Sequence, residues 1–325
     1  MKKLRNGGRH MDSEPKAEIR GRTARPMGLE ELLNNIDQAA DKAEKVLECQ
    51  IIILAFHELT GIERDVVDDL ESHMRKRGLQ EGRDVCVVLH TVGGDADAAY
   101  HVGIRLQSLV GGRKLIMVVP RLSKSAGTLL ACAGDKIYAT PITELGPVDP
   151  QVFIPSTGRY VSARTIRDSL KQVIETIMET ETSSQQVIQA VFSSMPIAGM
   201  GHFESLLSHV KSLLEEILSE RMMRNRSEKE ISKITEKLTK GYSYHGKVIH
   251  VGEASAIGLS IEVLKDEKLN AVYDLYGKLK ELFVAVSRLI EPLLYKTQIQ
   301  PPPLLHEIPH GLIYLPSLEY FESAY

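Results

Sequence analysis

The stretch RLSKSAGTLLACAGDKIYATPITELGPVDPQ, Arg121 to Gln151, decides how the rest of the chain is read. It follows an apolar run, Leu115 to Val119, and Pro120, and it sets Ser123 and Ser125 just ahead of Ala126 and Gly127. A strand running into a helix start of small residues is a good mount for a nucleophile. The first N–H groups of such a helix lack partners within it and point towards any anion formed there, while Ala and Gly leave room for a substrate backbone. Standing alone, an S-x-S pair here would read as a helix N-cap.

The segment upstream changes that balance. In VCVVLHTVGGDADAAY, Val85 to Tyr100, an apolar strand (Val85 to Leu89) runs into Gly93-Gly94, and a helix begins at Asp95 to Ala99. Two glycines after a strand let the backbone approach a ligand closely and turn its N–H groups inward, as an oxyanion hole requires. A GG pair before a helix is common in turns. Combined with a second strand-to-helix crossing that carries a serine, it describes a two-part site for acyl transfer. Ser125 is then the candidate nucleophile, and Gly93, Gly94 and Ala126 are the candidate oxyanion donors.

Outward from these crossings, strand and helix patterns alternate. Gly28 to Leu47 has helical apolar spacing, Gln50 to Phe56 is a β-branched run, and Glu63 to Arg77 is a charged amphipathic helix ended by Gly78. Asp84 to Leu89, Leu115 to Val119 and Lys136 to Ala139 read as strands, and Asp95 to Val110 and Lys124 to Ala133 as helices. Short loops between alternating elements predict a parallel α/β sheet with right-handed crossovers, in which binding chemistry gathers at the carboxyl ends of the strands.

The sequences LHTVGGDADAAYHVGIRLQ and PRLSKSAGTLLACAGDKIYATPITELGPVDPQ resemble the ClpP and signal-peptide-peptidase superfamily, and more narrowly its serine dehydrogenase proteinase branch. The likeness covers roughly residues 50 to 155, with a weaker echo in GYSYHGKVIHVGEASAIGLSIEVL, Gly241 to Leu264. The resemblance implies an α/β fold of the ClpP/crotonase kind, a repeated ββα superhelix around a parallel sheet followed by a helical C-terminal region. It also implies serine endopeptidase activity; no cofactor is expected, and cysteines without a CxxC pair argue against a zinc site. Polypeptide is then the substrate, the chain forms a homo-oligomer, and an unfoldase or adaptor is a possible protein partner.

A serine nucleophile needs a base within hydrogen-bond reach and, where the base is His, a carboxylate to orient it. The resemblance, in which Ser, Asp and His follow in that chain order, carries these roles to Asp149 in GPVDPQ and His245 in GYSYHG. By residue type alone, Asp149 is equally a turn residue between two prolines and His245 a loop histidine. The alternative base is the lysine of a Ser–Lys dyad, and Lys171 lies at the interval the likeness suggests. A lysine on a polar helix is more often solvated. Lys124 precedes the nucleophile but would point away from an inward-facing serine.

The chain has 325 residues, 43% of them hydrophobic, enough for one large domain with appendages. A net charge of −3 argues against a dedicated nucleic-acid binder. Aromatic content of 5% without Trp suggests no base-stacking or sugar platform. Cys49, Cys86 and Cys132 form no CxxC pair, and the apolar runs around Cys86 and Cys132 predict buried thiols in a reducing, cytoplasmic location. No run of 18 uncharged apolar residues occurs, so no membrane segment is expected in this chain.

Three regions follow: residues 1–27 as a disordered basic tail, 28–265 as the protease-like domain with a helical insertion at about 160–240, and 266–325 as a C-terminal helix and extended arm. Val161 to Val187 and Phe203 to Met222 read as helices separated by a linker at Ser193 to His202. A stripe on the last helix, Leu275, Leu279, Leu282, Val286 and Leu289, is expected to serve oligomerisation, and Pro301 to Tyr325 to pack as an arm on a neighbour. Two other classes stay open: an inactive scaffold or regulatory subunit, and a crotonase-like acyl-CoA enzyme that uses the two N–H groups to hold a thioester enolate.

Overall fold

The computed structural model describes residues 27–154, 158–179, 189, 197–297 and 302–317. The strands are β1 (Gln50–Phe56), β2 (Val85–His90), β3 (Leu115–Val119), β4 (Leu122–Ser123), β5 (Lys136–Ala139), β6 (Glu144–Leu145), β7 (Gln151–Ile154), β8 (Arg159–Ser162), β9 (Ile249–His250), β10 (Ile261–Val263), β11 (Pro303–Ile308) and β12 (Gly311–Pro316). The helices are α1 (Leu29–Leu47), α2 (Val66–Arg77), α3 (Ala96–Val110), α4 (Ala126–Ala131), α5 (Ala163–Glu179), α6 (Ile197–Glu220), α7 (Glu228–Lys240), α8 (Val251–Ile257) and α9 (Asp266–Thr297).

Near-continuous apolar runs such as QIIILAF and VCVVLH belong to strands covered on both faces, and β1 to β3 are buried in that way. They sit in a seven-stranded sheet of order β10-β5-β3-β2-β1-β12-β11, parallel throughout except for β11 against β12. Alternate residues of β1 face opposite layers. Ile52, Leu54 and Phe56 pack with α2, α3, α4, α6 and α7, whereas Ile51, Ile53 and Ala55 pack with α1 and α9. The mostly parallel α/β sheet is therefore as the alternation implies. Among the described residues, no helix is long and apolar enough to cross a membrane.

A second, small sheet of order β4-β6-β9 is laid over the carboxyl end of the first. It is tied there by a parallel bridge between Thr91 and Ser123. Strand β4 runs parallel to β6, and β6 antiparallel to β9 with Glu144 opposite His250 and Leu145 opposite Ile249.

Several expectations change. The C-terminal segment does not extend as an arm: β11 and β12 form a hairpin whose second strand adds to β1 in parallel, with Leu312 beside Leu54. Its apolar residues complete the sheet, and for that reason Leu312, Ile313, Tyr314 and Leu315 are buried. The stripe Leu275, Leu279, Leu282 and Val286 is filled within the chain, because α9 lies along α1 on the sheet; only Leu289 is exposed, at 59%. The expected linker at Ser193 to His202 is helical from Ile197 onward.

Cys49 and Cys86 are joined as a disulfide, with Cα atoms 5.9 Å apart, in place of the free thiols expected. The parallel register that sets Ile51 beside Cys86 brings the two side chains together on one face. Cys132 is free and buried, and burial pushes its thiol up to about 12. The tail expectation, apart from Met27, the far end of the Val161 to Val187 helix and the last eight residues lie outside the described residues.

Candidate active site

The glycine turn and Ser125 are delivered by two crossings at the carboxyl end of the central sheet. Strand β2 ends at His90, and the following turn bends back at Gly93 and Gly94, with φ of 125° and 148°. These values favour glycine because a side chain would clash with its own backbone. Thr91 fixes the turn: its hydroxyl donates to Gly93 O (3.1 Å) and accepts from Gly93 N (3.0 Å). Ile62 N also donates to Gly93 O (2.8 Å), and Ile62 O accepts from Asp95 N (2.8 Å). The Gly93 N–H is thus occupied. The N–H groups of Gly94 and Ala126 have no hydrogen-bond partner among the described residues.

Ser125 sits between β4 and α4 with φ 51° and ψ −120°, one of three non-glycine residues of positive φ among those described. A serine held so, on a sharp strand-to-helix turn, has its hydroxyl projected from the end of the sheet. Its carbonyl caps the next helix by accepting from Thr128 N (2.8 Å) and Leu129 N (3.2 Å), while its hydroxyl makes no hydrogen bond among the described residues. Ser123 is fully buried and lies behind this turn. A Cβ built on Gly93 would stand 3.0 Å from Ser125 Cβ, so the glycine turn and the serine share one small space.

The small sheet supplies the other two groups. Asp149 follows β6 and His245 precedes β9. Continuing the antiparallel register of these strands by four residues on each chain sets Asp149 opposite His245. The two side chains are hydrogen-bonded, His245 Nδ1 to Asp149 Oδ1. Asp149 is buried at 6% exposure, and His245 remains about a third exposed. A buried carboxylate on Nδ1 fixes the ring orientation and leaves Nε2 for a proton transfer.

Lys171 stands elsewhere. It is on the exposed face of α5, near Glu204 of α6, whose carboxyl is held below its usual range by Arg167 and, more weakly, by Lys240 and Lys171. Two contributors carried no sequence signal of their own. Thr91 stands two residues before the GG pair, and Lys124 is expected only to point away from an inward-facing serine. Lys124 in fact turns its ammonium onto the His245 loop, donating to Lys247 O (3.0 Å) and Gly246 O (3.3 Å).

The family model described as ClpP-like SDH-type serine proteinase matches residues 62–298. Among curated proteins, the chain is similar to two uncharacterized proteins of Methanocaldococcus jannaschii. One is 29% identical over 211 residues, covering 65% of this chain and 65% of that protein. The other is 23% identical over 215 residues, covering 65% and 63%. The chain's match thus spans less than two thirds of the length of these relatives. Solved structures similar to it include two mutants of a membrane-bound stomatin-specific protease, one in complex with a substrate peptide, each 15% identical with a TM-score of 0.40. The first covers 68% of this chain and 78% of its own, the second 71% and 84%.

Proposed function

This chain belongs to the ClpP-like SDH-type serine proteinase family, and we propose that it hydrolyses peptide bonds as a serine endopeptidase through an acyl-enzyme on Ser125. His245 Nε2 takes the proton as Ser125 Oγ attacks the scissile carbonyl, and returns it to the leaving amine. Asp149 holds His245 through Nδ1 and stabilises the imidazolium. The Gly94 and Ala126 N–H groups receive the oxyanion, and removing one such donor typically costs about 10²–10³ in rate. Water, activated by the same imidazole, then releases the acyl group. Gly93 contributes shape rather than a donor, since Thr91 holds its N–H.

The observation that carries this reading is the His245–Asp149 hydrogen bond, in a chain whose Ser125 has positive φ and lies against a paired glycine turn. It favours His245 over Lys171 as the base. We take β3–β4–α4 as one ββα turn of a ClpP/crotonase-like superhelix. The substrate we propose is polypeptide, bound extended beside the Gly93-Gly94 turn by backbone hydrogen bonds. Assembly into a homo-oligomer and delivery by an unfoldase or adaptor belong to the same proposal; a cytoplasmic location does not, because two of the three cysteines, Cys49 and Cys86, are joined as a disulfide.

The test is labelling by a fluorophosphonate probe. Wild type should label, and Ser125→Ala should not. His245→Ala should lose labelling, while Lys171→Ala keeps it. Full labelling of His245→Ala with loss in Lys171→Ala would replace the triad by the dyad. No labelling of the folded wild type would leave the scaffold reading.

A further inference from the structure

We infer that Lys124 is a positioning residue that holds the loop bearing His245 against the segment bearing Ser125. This deepens the reading above and rests on it.

Lys124 is in contact with several of the segments that carry the candidate site residues. Its N–H donates to Thr91 O (3.2 Å), which ties it to the glycine turn, and its carbonyl accepts from Gly127 N (2.7 Å), which ties it to α4. With both backbone groups engaged, its Cα is fixed relative to Ser125. Its stem crosses Gly146, three residues before Asp149: a Cβ built on Gly146 would stand 3.1 Å from Lys124 Cε and 3.3 Å from Cδ. The ammonium then reaches the carbonyls of Gly246 and Lys247, the two residues after His245.

The loop from Gly241 to Val248 is exposed along most of its length, with Tyr244 at 70%. Among the described residues its ties to the rest of the protein are Lys237 to Gly241 and over the Tyr242 ring, Tyr242 against the core, Arg164 to Tyr242 O, the Tyr242 and Lys247 side chains to Glu253, His245 to Asp149, and Lys124. Of these, only Lys124 joins it to the nucleophile's own segment. A base must come within about 2.6–3.2 Å of the hydroxyl it deprotonates, and a shift of about 1 Å can cost about 10² in rate. Burial also pushes the Lys124 ammonium below its ordinary pKa, against the opposing pull of the Glu144 carboxylate. It is not a freely solvated lysine.

The experiment measures the fluorophosphonate labelling rate, and kcat and KM on an unfolded polypeptide, for Lys124→Met, Lys124→Arg, Gly146→Ala and the Lys124→Met/Gly146→Ala double variant. Lys124→Met should lower kcat and the labelling rate by about 10²-fold, with KM changed less than about twofold. Lys124→Arg, which also presents several donors, should recover to within about tenfold of wild type. Gly146→Ala should displace the stem and give an intermediate loss without removing the ammonium. In the double variant the two losses should not multiply, because they act through one contact.

A full rate for Lys124→Met, with Ser125→Ala dead, overturns the inference and leaves the proposed function standing. Multiplying losses in the double variant overturn it as well. Equal inactivity of Lys124→Met and Lys124→Arg, with His245→Ala still labelled, makes Lys124 the base itself and overturns both. If Lys124→Met fails to fold, the Lys124→Arg and Gly146→Ala rates decide: wild-type rates in both reject the inference.

Discussion

Gly93 lies against Ser125, so close that a Cβ on the glycine would stand 3.0 Å from the serine's own Cβ and 3.5 Å from Ala126 N. Gly93→Ala should therefore put a methyl group into the space where a carbonyl must sit. We expect labelling by a fluorophosphonate to fall by about 10²-fold or more while circular dichroism stays that of the wild type. Gly94→Ala is the more severe change, although Gly93→Ala is also strained by its φ of 125° and by Lys124 O at 3.0 Å. There the Cβ would meet Ile62 N and O at 2.3 Å, and only a backbone shift could relieve it. That variant should lose about 2 kcal/mol or more of stability in urea denaturation. Equal stabilities for the two variants would contradict this distinction.

Ser125 holds φ 51° and ψ −120°, which a glycine adopts freely and an L-residue does not. Such backbone costs of the order of 1–3 kcal/mol in an L-residue, partly offset by the greater freedom glycine has in the unfolded chain. Both Ser125→Gly and Ser125→Ala should be inactive. Ser125→Gly should be the more stable of the two by about 1 kcal/mol, read from chemical denaturation midpoints. A less stable glycine variant would show that the turn is not strained.

The strands of the sheet were legible because β1, β2 and β3 are short apolar runs bounded by turn residues, and those runs recur as its buried strands. The serine and glycine turns were legible for the same reason, as small residues at strand ends. The hairpin at Pro303 to Pro316 was not, because its partner β1 lies some 250 residues away and β12 enters in parallel, a pairing that no local pattern announces. The Cys49–Cys86 bond likewise depends on which strands become neighbours. The contact of the Lys124 ammonium was not legible either, because it is made to a loop 122 residues further along.

His90 ends β2 on the face opposite the serine, its ring 5.5 Å from that of Phe283 and 5.6 Å from that of Tyr276, with Nδ1 unpartnered among the described residues. Burial first, then the charges of Arg121 and His57, lower its pKa from 6.5 to about 4. The unfolded chain therefore binds this proton earlier as pH falls. The neutral ring's contribution is complete above pH 6.5 and is lost between 6.5 and about 4. A shift of that size corresponds to about 3 kcal/mol. His90→Phe should flatten the dependence of unfolding free energy on pH across that window. Parallel pH profiles for variant and wild type would refute it.

Cys49 and Cys86 are both buried on the α1 and α9 side of the sheet and close a separation of 37 residues. In the chain-entropy account, a cross-link of that length restricts the unfolded chain by about 3–4 kcal/mol. Protein unfolded without reductant should show one reactive thiol, Cys132, and three after reduction. Cys49→Ala/Cys86→Ala should lose stability of that order in urea. Its fluorophosphonate labelling rate should be unchanged, since neither residue touches the Ser125 side of the sheet. Three thiols before reduction would mean that β1 and β2 are held by packing and hydrogen bonds alone.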